Sequence, residues 1–209
     1  SDGGACRIRS VTRVQVQHCS VDHCARGLRI QDCGSDATVS IVSGNRVTRC
    51  LESGIYCAAL YYNGADGCIN FKISSNNVNS CFNNGILLCG GHRISVVSNT
   101  IIGCANAGIQ QWHGLDNVIV GNSIINCNQL QHNGVGALGD AHANLHIDGD
   151  SNIRAGGKYI ALIHSNTICD CNQGRGAAVY GIRLGQANSN LSGYPNESKQ
   201  CSIDGNHID

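Results

Sequence analysis

Methionine is absent from the sequence, the initiator included, and the chain opens on SDGGACRIRS, which reads like the interior of a coil already under way. A segment of a longer polypeptide is therefore expected. Charge is scarce at 13% of residues, and 14 basic side chains balance 14 acidic ones. Such a chain has no electrostatic footprint for nucleic acid or for an anionic membrane surface. No apolar run approaches the roughly 20 residues of a membrane-spanning helix, and no basic-then-apolar leader opens the chain, so a soluble body is expected. Aromatic residues make up 4%, with one tryptophan, and Pro195 is the single proline. Against these shortages stand 27 glycines and an abundance of Asn and Ser, the composition of a tightly turning β protein rather than a helical bundle.

What is present is a repeat. SNTIIGC (98–104), GNSIINC (121–127) and SNTICDC (165–171) share one pattern, in which Asn45, Asn76, Asn99, Asn122, Asn166 and Asn206 hold one place and Cys19 stands in for the first. Three residues earlier lies Val16, Val42, Ile73, Val96, Ile119, Ile163 or Ile203; two residues later lies Val21, Val47, Val78, Ile101, Ile124, Ile168 or Ile208. Five residues after the corner comes Cys24, Cys50, Cys81, Cys104, Cys127 or Cys171, followed by Gly and an aliphatic residue, as in the GI pairs at 54, 85, 108 and 181 and GV at 134. A period in the twenties marks a solenoid whose units bury their apolar faces only against their neighbours.

Apolar positions two apart, broken by turn residues, specify three short strands per coil rather than a strand and a helix. The expected fold is an all-β parallel solenoid of about seven rungs, rising about 4.8 Å each. Asn at a sharp corner bonds local backbone and the Asn above and below it, forming a ladder. Cys fills the inner corner as a small, soft hydrophobe, and Gly lets the chain turn into the third strand. One such domain spans residues 1–209.

The Asn, Cys and Gly-aliphatic pattern, running from Val14 to Ile208, resembles the right-handed parallel β-helix of the pectate-lyase-like superfamily, which includes phage tailspikes, polysaccharide lyases, rhamnogalacturonases and alginate C5-epimerases. The resemblance implies that the strand opening at the Gly-aliphatic pair lines a substrate groove. Mapped rung by rung, its outward residues are Arg29, Tyr56, Leu87, Gln110, Gly136 and Arg183. It further implies a polysaccharide partner, a location outside the cell or on a virion tail, and the homotrimer habitual in that family.

The 14 cysteines are read as reduced thiols, because a disulfide framework would not place six of them at one repeat position. CDC at 169–171 lacks the CxxC grouping of a closed zinc site, so no metal is expected from the ladder.

Chemistry is expected where the repeat is broken. Asn122 to Asn166 spans 44 residues and Asn166 to Asn206 spans 40, against 23 in regular coils. The rung map puts insertions at 138–159 and 185–200, just after the groove strand, and long loops on a rigid scaffold are common carriers of function. The first gathers Asp140, His142, His146, Asp148, Asp150, Arg154 and Lys158. Two of its aspartates would serve a glycoside hydrolase, which needs paired carboxylates. His142 or His146 as base, with Arg183 neutralising a uronate carboxylate, would serve a lyase or epimerase. DAH at 140–142 is similar to the Asp-Pro-His signature of alginate C5-epimerases, with Ala141 in place of the proline and the preceding tyrosine missing. Calcium on the DGD stretch at 148–150 is a third use, and ordinary turn chemistry a fourth.

Substrate binding is assigned to Arg29, Tyr56, Gln110, Trp112, His113 and Glu52. Trp112 offers an indole for sugar stacking, Tyr56 with Tyr61 and Tyr62 could extend that platform, and Glu52 stands at the groove rim. The expected function is binding and depolymerisation of an extracellular bacterial polysaccharide by hydrolysis or elimination; a non-catalytic glycan-binding shaft and a uronate C5-epimerase are the alternatives.

Overall fold

The computed structural model describes residues 4–58, 68–127, 143–148, 161–169, 180–184 and 201–209. Seven coils of three strand segments follow one another. The first three are β1 (Gly4–Arg9), β2 (Gln15–Gln17) and β3 (Ser20–Asp22); β4 (Arg26–Gln31), β5 (Ser40–Ser43) and β6 (Arg46–Thr48); β7 (Ile55–Ala58), β8 (Ile69–Ser74) and β9 (Asn77–Asn79). In the fourth, the long β10 (Ile86–Val97) serves two faces and β11 (Thr100–Ile102) the third. Then come β12 (Ile109–Leu115), β13 (Asn117–Val120) and β14 (Ser123–Ile125), followed by β15 (Ala143–Asp148), β16 (Ala161–His164) and β17 (Thr167–Cys169). The last coil is β18 (Tyr180–Leu184), β19 (Cys201–Asp204) and β20 (His207–Ile208).

Corresponding strands pair in parallel, coil on coil. The first face runs β1-β4-β7-β10-β12-β15-β18, the second joins it through β10, and the third is a separate seven-stranded sheet from β3 to β20. This is the parallel β-helix the repeat specifies. The aliphatic positions on either side of each Asn form its interior: Val42, Ile73, Ile119, Val47, Ile101 and Ile124 are all fully buried.

The Asn corner works by a closed set of bonds. The residue before it takes a left-handed conformation at His18, Gly44, Ser75, Ser98, Gly121, Ser165 and Gly205, with φ between 53° and 64°. That turn throws the side chain of the next residue inward. Asn99 Oδ1 accepts from the amide and from Nδ2 of Asn76, while Asn99 Nδ2 donates to Asn122 Oδ1 and to the Ile73 carbonyl. The same bonds recur from Asn45 to Asn206. Cys19 ends the series by donating its backbone amide to Asn45 Oδ1 at 2.9 Å. Buried amides need partners, and here each one supplies its neighbour's.

The glycine of the Gly-aliphatic pair is required by crowding rather than by turning. Gly27, Gly54, Gly85 and Gly108 do not have positive φ. A Cβ on Gly27 would stand 2.0 Å from the Gly54 carbonyl oxygen, and one on Gly85 would stand 2.4 Å from Ile101 Cγ2. The sixth coil departs from the rule. Ile109 is in register with Leu145, so buried Asn144, one residue earlier, stands where the sequence map looked for Gly134.

That departure corrects one part of the map. Ala143–Asp148 lies inside the expected 138–159 insertion, yet it is the first-face strand of its coil: Ile109 pairs with Leu145 and Gln110 with His146. His146 therefore holds the place assigned to Gly136. Residues 138–142, 149–159 and 185–200 lie outside the described residues.

Candidate functional site

Alternation along the first face decides which side chains leave the core. Leu28, Ile55, Ile86, Ile109 and Leu145 turn inward and are buried. The register then sets the intervening residues in two lines up the axis. One runs Arg7, Arg29, Tyr56, Leu87, Gln110, His146, Arg183. The other runs Arg9, Gln31, Ala58, Cys89, Trp112, Asp148.

Part of the expected binding set meets in one cleft of about 350 Å³. Tyr56, Leu87 and Trp112 give it apolar and aromatic surface, while Arg26, Arg29 and Glu52 edge it with charge. The Arg29 guanidinium lies over the Tyr56 ring, 5.4 Å from its centroid, and Arg29 Nε donates to Gln31 Oε1 at 3.1 Å. A cation over a phenol face both stiffens the ring and holds the guanidinium plane along the cleft. Arg26 Nε donates to Glu52 Oε2 at 2.6 Å across the coil boundary. With the Glu52 side chain half exposed, that pair contributes at most about 1 kcal/mol to stability. Its importance is directional: it fixes where the rim presents a carboxylate and where it presents guanidinium donors.

Gln110 stands on the expected line but is fully buried, so it forms no part of an open platform. His113 follows Trp112 on β12. Of the expected catalytic residues, His146 and Arg183 are register partners on adjacent coils, and Asp148 is the partner of Trp112. Asp140, His142 and Asp150 lie outside the described residues, as do Arg154, Lys158, Tyr61 and Tyr62. Among the described residues no group of three or more His, Cys, Asp or Glu side chains is placed to hold a metal ion.

Arg26 and Asn83 complete the cleft and were not singled out from the sequence. A signal for Arg26 exists. Cys24 and Cys50 are 26 residues apart, the length of that coil, and Arg26 and Glu52 share the same separation. Any two residues one coil apart are stacked, so a basic and an acidic residue at that offset predict an ion pair. Asp22 is bonded one coil up as well, accepting from Thr48 Oγ1, 26 residues on, at 2.5 Å, and from Arg49 Nε, one residue further, at 2.9 Å.

Twelve of the described cysteines are free thiols. In the ladder, Cys50, Cys81, Cys104 and Cys127 are buried, and each thiol donates to the carbonyl two residues before it. The neighbouring Cys104 thiol, with burial, pushes the Cys81 thiol up to about 12. Such thiols are packing groups, far from the thiolate state that nucleophilic chemistry requires.

Residues 1–125 match the family model described as the right handed beta helix region. No curated protein and no solved structure matches the chain.

Proposed function

Because the chain belongs to the right-handed β-helix family, we propose that it is a carbohydrate-active member that binds an extended bacterial polysaccharide along its first face and cleaves it. The observation that carries this reading is the cleft of Tyr56, Leu87 and Trp112 edged by Arg26, Arg29 and Glu52. Sugar rings have an apolar C–H face and a polar rim of hydroxyls, and an aromatic floor with fixed donors and acceptors at its edge complements both. The face continues past the cleft as a line of coils about 4.8 Å apart, a shape suited to a linear chain rather than to a compact ligand.

Cleavage is assigned to the coils beyond Trp112. His146 and Arg183, adjacent on one line, suit removal of a proton next to a carboxylate that Arg183 neutralises, which is elimination from a uronate. Asp148, beside Trp112, is the carboxylate that hydrolysis would use, with a second supplied from Asp140 or Asp150. Such a polymer is extracellular, so the protein works outside the cell or as part of a virion tail, where homotrimers suit a rod of stacked coils.

One observation favours a second reading, a glycan-binding shaft without catalysis. Among the described residues, Glu52 is the one carboxylate in the cleft lining, and it is engaged by Arg26. The deciding experiment incubates the protein with neutral and uronate-containing bacterial polysaccharides, measuring reducing ends and unsaturated-uronate absorbance in parallel. Reducing ends alone indicate hydrolysis, and an accompanying ultraviolet signal indicates elimination. Binding without either product establishes the shaft, and absence of both binding and product refutes the carbohydrate reading.

A further inference from the structure

The corner that leads from the third face into the first carries two columns of side chains beside the cleft. Two residues past Cys24, Cys50, Cys81 and Cys104 stand Arg26, Glu52, Asn83 and Asn106; one residue past them stand Ala25, Leu51, Phe82 and Ala105. Backbone bonds stack the second set coil on coil. The Leu51 amide donates to the Cys24 carbonyl at 2.9 Å, Phe82 to Cys50 at 2.8 Å and Ala105 to Cys81 at 2.9 Å. Arg26, Glu52 and Asn83 line the cleft. Leu51 and Phe82 precede Glu52 and Asn83 in the chain, on the side away from the first face, and are 67% and 61% exposed.

A single exposed apolar residue is ordinary, but here two large ones are stacked on adjacent coils, between alanines, at the level of the cleft. Of the chain's two phenylalanines, Phe71 is a core residue at 1% exposure and Phe82 is left in the open. Beside this ridge, Asn106 Nδ2 donates to Asn83 Oδ1 at 3.1 Å. That bond leaves Asn83 Nδ2 to donate and Asn106 Oδ1 to accept, on two half-buried residues one coil apart. Three strips therefore run up the axis side by side: the apolar ridge, the polar column, and the floor of Tyr56, Leu87 and Trp112. A linear chain in the cleft covers the floor and the polar column and leaves the ridge bare. Only a group that leaves the main chain at the polar column reaches Phe82.

We infer that Leu51, Phe82, Asn83 and Asn106 form a branch subsite, which takes a neutral sugar side chain of the polysaccharide whose main chain lies in the cleft. The inference rests on the carbohydrate reading above and narrows it to branched polymers. The exposed ring of Phe82, extended by Leu51, complements the apolar C–H face of a sugar, while the Asn83 and Asn106 amides supply a donor and an acceptor for its hydroxyls. Asn83 belongs to both sites, lining the cleft and adjoining Phe82, so the branch point lies at its coil. Charge selects against an acidic branch. The half-exposed Glu52 carboxylate stands one coil below Asn83, and Arg26, the nearest cation of that column, is bonded to it. A carboxylate on the branch would meet repulsion there without a neighbouring guanidinium to offset it.

Trp112 is the single tryptophan and lines the cleft, so its fluorescence reports cleft occupancy directly. The test titrates the protein with a panel of bacterial exopolysaccharides of known repeat, linear and branched, and with each branched polymer after exoglycosidase has trimmed its side chains. A polymer with neutral branches should bind about tenfold more tightly than its own trimmed backbone. Phe82→Ala should remove that difference while leaving affinity for the trimmed backbone within about twofold, and Phe82→Tyr, which keeps the ring, should preserve it. Equal binding of branched and trimmed polymer, a preference for acidic branches, or an equal loss on both ligands in Phe82→Ala would overturn the branch subsite while leaving the cleft reading intact. Sedimentation of the same samples adds a further check: an oligomer that dissociates in Phe82→Ala at unchanged affinity makes the ridge a contact between copies and overturns the subsite. If no polysaccharide alters Trp112 fluorescence, the carbohydrate reading fails and the branch subsite with it. The wild-type comparison of branched with trimmed polymer decides the matter even where a variant fails to fold.

Discussion

Replacing Asn99 by Ala tests what holds the coils in register. Its side chain makes four bonds to other coils: two accepted from Asn76 and one donated to each of Asn122 Oδ1 and the Ile73 carbonyl. All are buried. Asn122 Oδ1 keeps the Asn99 backbone amide as a donor, so its loss is small. The Asn76 amide and the Ile73 carbonyl instead lose these partners inside a dry corner. At about 1–3 kcal/mol for each stranded group, the substitution should cost about 4 kcal/mol. Asn206 makes the same kinds of bond, but it is only partly buried and water can replace them. Asn206→Ala should therefore cost about 1 kcal/mol. Urea unfolding of the two variants, followed by circular dichroism, reads the difference as a shift in midpoint at unchanged slope. Equal costs, or an Asn99→Ala penalty below about 1 kcal/mol, would refute the claim that the ladder is a stabilising network.

Glycine crowding predicts a contrast of a second kind. Gly27→Ala forces a Cβ against the Gly54 carbonyl and should destabilise by about 3 kcal/mol or prevent folding, whereas Gly103→Ala, whose Cβ meets nothing closer than 3.7 Å, should cost only the left-handed strain of about 1 kcal/mol; thermal melts compare them. Bonds from Arg49, and then from Thr48, hold the Asp22 carboxyl well below the usual carboxylate range. A depressed folded value means that its stabilisation is fully present above the unfolded pKa of about 4 and fades as the pH falls below it. The Tm gap between wild type and Asp22→Asn should therefore be open at pH 6 and close towards pH 2. In the cleft, Trp112→Ala should weaken binding of a recognised polysaccharide by about tenfold or more while leaving the Tm within a few degrees, measured by isothermal titration on matched samples. Unchanged affinity would remove the indole from the site.

Much of the fold was legible because a solenoid repeats its local rule. Val42, Asn45, Val47 and Cys50 occupy the same four places as Ile73, Asn76, Val78 and Cys81, and one coil's solution serves for the next. The Asn bonds could be anticipated because stacked identical side chains have only each other as partners. The site was legible in part. Arg29, Tyr56, Glu52 and Trp112 do converge, but Gln110 is covered, and Arg26 was missed because its pairing appears only when residues are compared one coil apart.

By itself, the sequence determined the coil: which residues face inward, where Asn and Cys stack, and how many turns the chain makes. Only the tertiary structure decided which stretch of the long 122–166 interval returns to the first face. Locally, NGVGAL and ANLHID both offer alternating apolar residues, and the first carries the glycine the rule asks for. The backbone ladder settles on the second, since Leu145 lies against Ile109 in the core and Asn144 takes the Gly108 amide. That choice puts His146 and Asp148 beside Gln110 and Trp112. Periodicity fixes what repeats; contacts made where the period is broken depend on closing a particular loop against a particular neighbour, and that is settled only by packing in three dimensions.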